Sequence, residues 1–353
     1  MTKSKSVILC SAATALLSGI ILTSSGRVPA SALSYGVKEP SPDRSLHALT
    51  LSLPSFPTDL RIEEDRSEET EEPSADATPS VPVFGAADYT VTVPEAPSKS
   101  EKIVKKTYAS SLSINNKTSK SMSIKDLLSR VPDVDLSGDG PQILIVHTHT
   151  SESYNETGQS WYTTQSTRTT DPTRNMVRMG ELLEETLTAA GYGVIHCQVI
   201  HDDEYTESYP TCRKSVEECL KRFPSVSVII DLHRDSLLDD GGTKYRPVTE
   251  INGVPAAQVM LLMGTGKSTA PQPHWEKNLC LAAWIQREGC ERYPGFLRPI
   301  LVQALQYNQD ISNGAILVEL GACGNSPSEA EAAARLFGEI CACALDRIKE
   351  AQS

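Results

Sequence analysis

The sequence predicts an α/β fold, a three-layer α/β/α arrangement with a mainly parallel sheet, and three observations carry the prediction. Five short runs, QILIV (Gln142–Val146), GVIHCQVI (Gly193–Ile200), VSVIIDL (Val226–Leu232), AQVMLLMG (Ala257–Gly264) and AILVEL (Ala315–Leu320), are nearly continuous in apolar residues. Strands covered on both faces have this texture. Between the runs lie stretches whose apolar residues fall three and four apart, as on a helix with one buried stripe. Strand and helix alternate along the chain, which favours parallel pairing through crossover helices.

The elements follow in order from the amino terminus. Residues 1–26 carry Lys3 and Lys5, an apolar run from Val7 to Leu22 broken only by small residues, and a Ser-rich exit before Arg27. This is an export signal, and about 16 to 18 apolar residues suffice for a short, tilted membrane span. The segment reads as a retained membrane anchor with the rest of the chain outside the cytoplasm. Ala30-Ser31-Ala32 is the competing cleavage pattern, which would give a secreted form. Residues 27–120 are rich in Pro, Ser, Thr and charge, with seven acids between Glu63 and Glu72. They hold too little apolar surface to offset the entropy of ordering, and read as a disordered acidic tether.

Residues 121–353 carry the folded domain. Met176, Gly180, Leu183, Leu187 and Ala190 share one helical face, and Gly191 is placed to end that helix. A second helix covers Trp275–Tyr293. A third starts at Ser326-Pro327 with Glu329 completing a capping box, and turns Ala333, Leu336, Phe337, Ile340 and Ala344 inward.

The net charge of −12 provides no basic footprint for a phosphate backbone, so nucleic acid is not expected as a partner. Nine cysteines are odd in number and contain no CxxC pair. They make neither a recognisable disulfide framework nor a zinc ribbon, and read mostly as small core residues. Pairing between some of them stays open in an exported chain.

Ligands of such sheets sit beyond the carboxyl ends of the strands. Three strands here run into residues that suit metal-assisted hydrolysis: ILIV into HTHTSE, VIIDL into HRDS, and AILV into ELGACGN. Hydrolytic zinc takes about three nitrogen or carboxylate ligands and needs a carboxylate nearby to accept a proton from water. His149 and Glu152 form an HxxE pair, His233 supplies a third ligand, and Glu319 is the candidate general base. An unpaired acid inside an apolar strand is expensive unless it has work to do. His147 is either an alternative ligand to His149 or a supporting donor.

Other patterns fail on inspection. GTGKST (Gly264–Thr269) lacks the first glycine of a phosphate loop, and a Pro-rich stretch stands where its helix should begin. DVDLSGDG (Asp133–Gly140) lacks the closing Glu of a calcium loop. Ser151 and Ser153 stand beside histidines, but there is no GxSxG elbow. His274, on a Pro-rich loop, is a candidate for lining a substrate groove.

The motifs HTHTSESY, RNMVRMG, DLHRDS, GTGKSTAPQPHWEKNL, YNQ (Tyr307–Gln309) and VELGACGNSPSEA resemble, in that order, the stage II sporulation protein P family. The similarity runs from about Ser121 to the end. The resemblance implies a fold like that of zinc amidases and carboxypeptidases, and a zinc-dependent N-acetylmuramoyl-L-alanine amidase with peptide-cleaving activity. It further implies peptidoglycan as substrate during forespore engulfment, and the stage II sporulation proteins D and M as partners. In the broader zinc amidases the second ligand is a Glu near the start of the first long helix; here Asn175 stands about there, which leaves Glu152 as the substitute. Arg174, Asn175 and Arg234 are candidates for holding stem-peptide carboxylates, since Arg pairs with them bidentately. A zinc carboxypeptidase and a non-catalytic wall-binding scaffold are the rival readings.

Overall fold

The computed structural model describes residues 49–51, 101–155, 161–162, 167–239 and 242–353. The chain order is β1 (Leu49–Leu51), β2 (Glu101–Lys106), β3 (Ile114–Asn116), α1 (Ile124–Leu128), β4 (Ile143–Val146), β5 (Trp161–Tyr162), α2 (Met176–Ala189), β6 (Val194–Cys197), α3 (Ser208–Arg222), β7 (Val228–Asp235), β8 (Lys244–Ile251), β9 (Val254–Ala257), β10 (Val259–Gly264), β11 (Gly266–Lys267), β12 (Ala270–Pro271), α4 (Trp275–Arg292), β13 (Ile300–Gln303), β14 (Ala315–Ala322) and α5 (Pro327–Gln352).

Eight strands form the central sheet in the order β1-β6-β4-β7-β14-β10-β13-β3. Every neighbouring pair is parallel except β14 and β10, so the sheet is mainly parallel as expected. Alternation of side chains along each strand divides the core in two. Ile143, Ile145, Ile230, Leu232, Val318 and Leu320 face α2, α4 and α5, where Leu183, Leu281, Phe337 and Ile340 meet them. Leu144, Val146, Ile195 and Ile229 face Cys212, Val216 and Cys219 of α3. These are the three layers.

The sequence reading passed over α3 because it is mostly polar; its inner stripe is Cys212, Val216 and Cys219, spaced four and three apart. It also passed over the β8–β9 hairpin, whose turn is Asn252-Gly253, both with positive φ (53° and 80°), the pairing that suits a tight hairpin. β8 and β9 belong to a second sheet, ordered β5-β2-β8-β9.

Residues 101–116, assigned above to the tether, join both sheets. β2 pairs in parallel with β8, and β3 pairs with β13 at the edge of the central sheet. The backbone N–H of Tyr108 donates to Gln258 Oε1 at 2.7 Å. The ordered domain therefore begins ahead of Ser121, and β1 adds a further edge strand beside β6. The export signal and membrane anchor expected at residues 1–26 lie outside the described residues. Among the described residues no helix is long and apolar enough to cross a membrane, and all eight described cysteines are free.

Candidate active site

The turn leaving β4 is pinned from two sides. Asp231 of β7 accepts the backbone N–H of Thr148 at 2.8 Å and its hydroxyl at 2.6 Å. Asp202 accepts the N–H of Ser151 at 3.0 Å and its hydroxyl at 2.6 Å. Short polar side chains that bond locally to backbone hold an irregular segment in one shape. This one presents His149 and Glu152 beside the end of β7.

His233 and Glu319 are direct partners in the parallel register of β7 and β14. Both project toward the α3 face, since each lies an even number of residues from Ile229 or Ala315, which pack there. The His149 and His233 rings stand 5.3 Å apart and nearly perpendicular. Glu152 Oε2 is 3.6 Å from His233 Nδ1, and Asp231 Oδ1 is 2.9 Å from His233 Nε2. Tyr205 stacks flat on His149 at 4.8 Å, and Tyr209 meets the same ring edge-on at 5.7 Å. The four residues singled out from the sequence, His149, Glu152, His233 and Glu319, thus come together at one place.

The charges there are strongly perturbed. Burial would raise the Glu152 carboxyl, but Arg234 and His233 outweigh it and bring its pKa down to about 2. Burial works against protonation of His233, yet Asp231 and Glu152 hold its pKa well above the ordinary value. Burial, aided by the charge of Asp235, pushes Glu319 up to about 8. Two carboxylates that stabilise an imidazolium would equally stabilise a metal cation in its place.

Three buried polar atoms in this cluster have no hydrogen-bond partner: His149 Nδ1, His233 Nε2 and Glu319 Oε2. At His233 Nε2 the approach of Asp231 is an electrostatic contact without hydrogen-bond alignment. Buried orphans call for an explanation, and two imidazoles with a carboxylate are the donor chemistry of a hydrolytic zinc site. In composition and adjacency the residues fit such an ion. They are not closed around one, since among the described residues no three His, Cys, Asp or Glu side chains are gathered to hold a metal. Glu152 is instead drawn toward Arg234 (Nη1 at 3.4 Å) and Arg168 (Nη2 at 3.5 Å).

The remaining candidates lie elsewhere or are used internally. His147 is buried, with Nδ1 3.1 Å from Leu232 O and Nε2 2.8 Å from His196 Nε2; both ring nitrogens are taken within the protein, so it sits behind the site. Arg234, expected to face substrate, is buried and clamps the loop, donating to Ser153 O at 3.2 Å and Thr167 O at 2.9 Å. Asn175 is the N-cap of α2, accepting from Val177 N at 2.9 Å and donating to Thr169 O at 3.1 Å, which leaves its amide no role toward substrate. Arg174 is exposed on the turn before α2. His274 caps no N–H with its ring and stands at the start of α4, away from the four.

Sequence reasoning missed Asp231, Arg168, Tyr205 and Tyr209. Asp231 carried the same signal as Glu319, an acid inside an apolar strand. The tyrosines carried none, because α3 and the turn before it reach His149 only through the tertiary fold.

A model of the family described as stage II sporulation protein P matches residues 55–342, well over half of the chain. The chain belongs to the stage II sporulation protein P family. It is 25% identical over 317 residues to the stage II sporulation protein P of Bacillus subtilis (strain 168), covering 84% of this chain and 75% of that protein. Among solved structures it is similar to an N-acetylmuramoyl-L-alanine amidase from Clostridium difficile 630, with 15% identity, 61% of this chain and 100% of that one, and a TM-score of 0.37. It is likewise similar to the N-acetylmuramoyl-L-alanine amidase AmiC2 of Nostoc punctiforme, with 13% identity, 60% and 99% coverage, and a TM-score of 0.37.

The family-like stretch after Glu319 has a structural purpose of its own. β14 breaks register between Glu319 and Ala322, and Gly321 takes φ +69° where a Cβ would meet Ala257 Cβ at 2.6 Å. Asn325 closes this bulge, accepting from Ala322 N at 2.9 Å and donating to Pro247 O and Glu329 Oε2, each at 2.9 Å. Glu329 completes the α5 capping box and pairs with Arg246. The segment GACGNSPSE thereby fixes the strand end that carries Glu319.

Proposed function

We propose that this chain is a peptidoglycan hydrolase of sporulation, a zinc-dependent N-acetylmuramoyl-L-alanine amidase that also cuts peptide cross-links. The observation that carries the reading is Glu319 directly opposite His233, its Oε2 buried and unpartnered, beside His149 and Glu152. Membership in the family supports the biological setting.

His149, Glu152 and His233 are the residues that would hold zinc, which supplies a Lewis acid at the scissile amide. The chain's own groups do the rest. Glu319, facing His233 across the β7–β14 register, takes the proton of the attacking water and passes it to the leaving amine of L-alanine. Asp231 orients His233. Tyr205 and Tyr209 wall the His149 side and exclude water from it. Arg234 holds Glu152 ionised, so that it can act as a ligand at any physiological pH. In the same reading residues 1–26 anchor the enzyme in the membrane with its domain outside the cytoplasm, and stage II sporulation proteins D and M are its partners.

One observation favours a second reading. Glu152 is held by two arginines and the donors are not gathered, as in a wall-binding scaffold that has lost catalysis. Metal analysis of the purified protein, together with mass spectrometry of digested peptidoglycan, separates the readings. An amidase carries zinc and frees whole stem peptides with a new N-terminal L-alanine. Release of single C-terminal residues would make it a carboxypeptidase, and absence of both metal and products would make it a scaffold.

A further inference from the structure

Arg298, just ahead of β13, is a buried charge that no step above uses. It is 4% exposed, and two of its three guanidinium nitrogens, Nε and Nη2, are buried without a hydrogen-bond partner. Nη1 donates to Asp235 Oδ2 at 3.0 Å. Cζ stands 5.7 Å over the Tyr108 ring, a cation–π contact that leaves the other N–H groups without an acceptor. Buried charged donors left unpaired are costly. The ion pair with Asp235 accounts for Nη1 and leaves Nε and Nη2 unexplained.

The chemistry of those two atoms is specific. Nε and Nη2 share one edge of the planar guanidinium, the edge that grips both oxygens of a carboxylate in two parallel hydrogen bonds. A lone carbonyl oxygen matches that edge less well. Asp235 offsets part of the charge, but its side chain is 19% exposed and screened by solvent, whereas the free edge is buried.

The topology puts this edge at the candidate active site. β10 runs against β14 and β13 runs with β10, so residues leading into β13 stand at the carboxyl ends of β7 and β14. The Arg298 N–H donates to Val259 O at 2.8 Å from the β13 side of β10, and its guanidinium reaches past β10 and β14 to Asp235 of β7. Asp235 projects to the same face as His233, two residues further along β7, a distance of roughly 7 Å. Burial and then Asp235 raise the Glu319 carboxyl while Arg298 counters them, so both charges are felt there. Asp235 and Glu319 are each partly open to solvent, and the edge is approached from their side.

In a stem peptide the residue after L-alanine is a D-glutamate linked onward through its γ-carboxyl, which leaves its main-chain carboxyl either free or amidated. That carboxyl lies within two extended residues of the scissile nitrogen, about 7 Å, the same separation as Asp235 from His233.

Resting on the peptidoglycan reading, we infer that Arg298 is a specificity-determining residue that binds the main-chain carboxylate of the stem peptide's second residue through Nε and Nη2. Asp235 holds the guanidinium in place for it. Amidation of that carboxyl removes an oxygen from the pair and weakens binding.

The test is calorimetric titration of the full chain, in chelator so that nothing is cut, with N-acetylmuramoyl-L-alanyl-D-glutamate and with N-acetylmuramoyl-L-alanyl-D-isoglutamine. The two ligands differ only in the carboxyl at issue. The acid is expected to bind about tenfold more tightly, the scale of one charge-assisted contact. Arg298→Gln should abolish that preference and leave affinity for the isoglutamine form unchanged. Thermal melting establishes that the variant is folded. If it is not, Arg298→Lys, which keeps a charge for Asp235 but lacks the fork, decides by losing most of the preference. An arginine that only ties the loop before β13 to β7 would treat both ligands alike. Equal affinity of the parent for the two, or an unchanged preference in the folded variant, overturns the inference alone. Binding of neither ligand overturns it together with the peptidoglycan reading.

Discussion

Replacing Glu319 by Gln separates a catalytic carboxylate from a structural one, because the amide keeps the shape but neither ionises nor accepts a proton from water. In the metal-free protein the Glu319 carboxyl is moved from 4.5 to about 8. At about 1.4 kcal/mol for each tenfold change in proton affinity, the ionised form costs the folded state up to about 5 kcal/mol; relaxation and water entry reduce this to about 2–3 kcal/mol. The sign follows from linkage. The folded pKa is raised, so the parent loses no stability below pH 4.5, where both states hold the proton. It loses stability as pH rises from 4.5 to about 8, and the loss is constant above that. Denaturation followed by circular dichroism in chelator should therefore find the variant equal to the parent at pH 4 and about 2–3 kcal/mol more stable at pH 8.5. Turnover of peptidoglycan by the zinc-loaded variant should fall by roughly two to four orders of magnitude, with metal content unchanged. Parallel stability curves would mean that Glu319 is solvated in the folded chain. Retained turnover would remove it as the base, and loss of zinc would make it a ligand.

His149→Ala and His233→Ala should each lose stoichiometric zinc by elemental analysis, whereas His147→Ala, whose nitrogens face Leu232 O and His196, should keep it; the reverse ranking would move the ligand to His147. Gly180→Ala adds a Cβ at 2.7 Å from His147 Nε2 and 2.6 Å from His196 Cε1. Both rings are fully buried, so overpacking should outweigh the gain in helix propensity and lower stability by about 1–2 kcal/mol in urea titration. A stabilised variant would mean that the two rings do not pack against α2. Deleting residues 1–100 should leave a soluble, cooperatively melting domain, while deleting 1–120 also removes β2 and β3 and should lower the melting temperature by several degrees; equal melting would show that these strands contribute nothing.

Much of the fold was legible because it depends on local pattern. The five apolar runs became β4, β6, β7, β10 and β14, and the three periodic stretches became α2, α4 and α5, since burying one stripe or two faces leaves a mark on every residue of an element. The start of α5 was readable to the residue from Ser326, Pro327 and Glu329. α3 left a weak mark because few of its positions face the sheet, and residues 101–116 left less, because their short strands are held mainly by backbone pairing.

The sequence by itself singled out the four candidate site residues. His149, Glu152, His233 and Glu319 each interrupt an apolar strand or its exit, where a polar side chain is expensive without a task. Their relations were decided only by the tertiary structure. The parallel register of β7 and β14 sets His233 against Glu319. The arginines on Glu152 come from residues 168 and 234, and the aromatic wall on His149 comes from Tyr205 in the turn before α3 and Tyr209 in its first turn. Most of these contacts join residues many tens of positions apart, and their energies depend on distance, burial and orientation, none of which spacing along the chain encodes. The same physics turned Arg234 and Asn175 from candidate substrate contacts into internal supports: a buried guanidinium or amide bonds first to the carbonyls around it, and which carbonyls those are is known only once the chain has closed on itself.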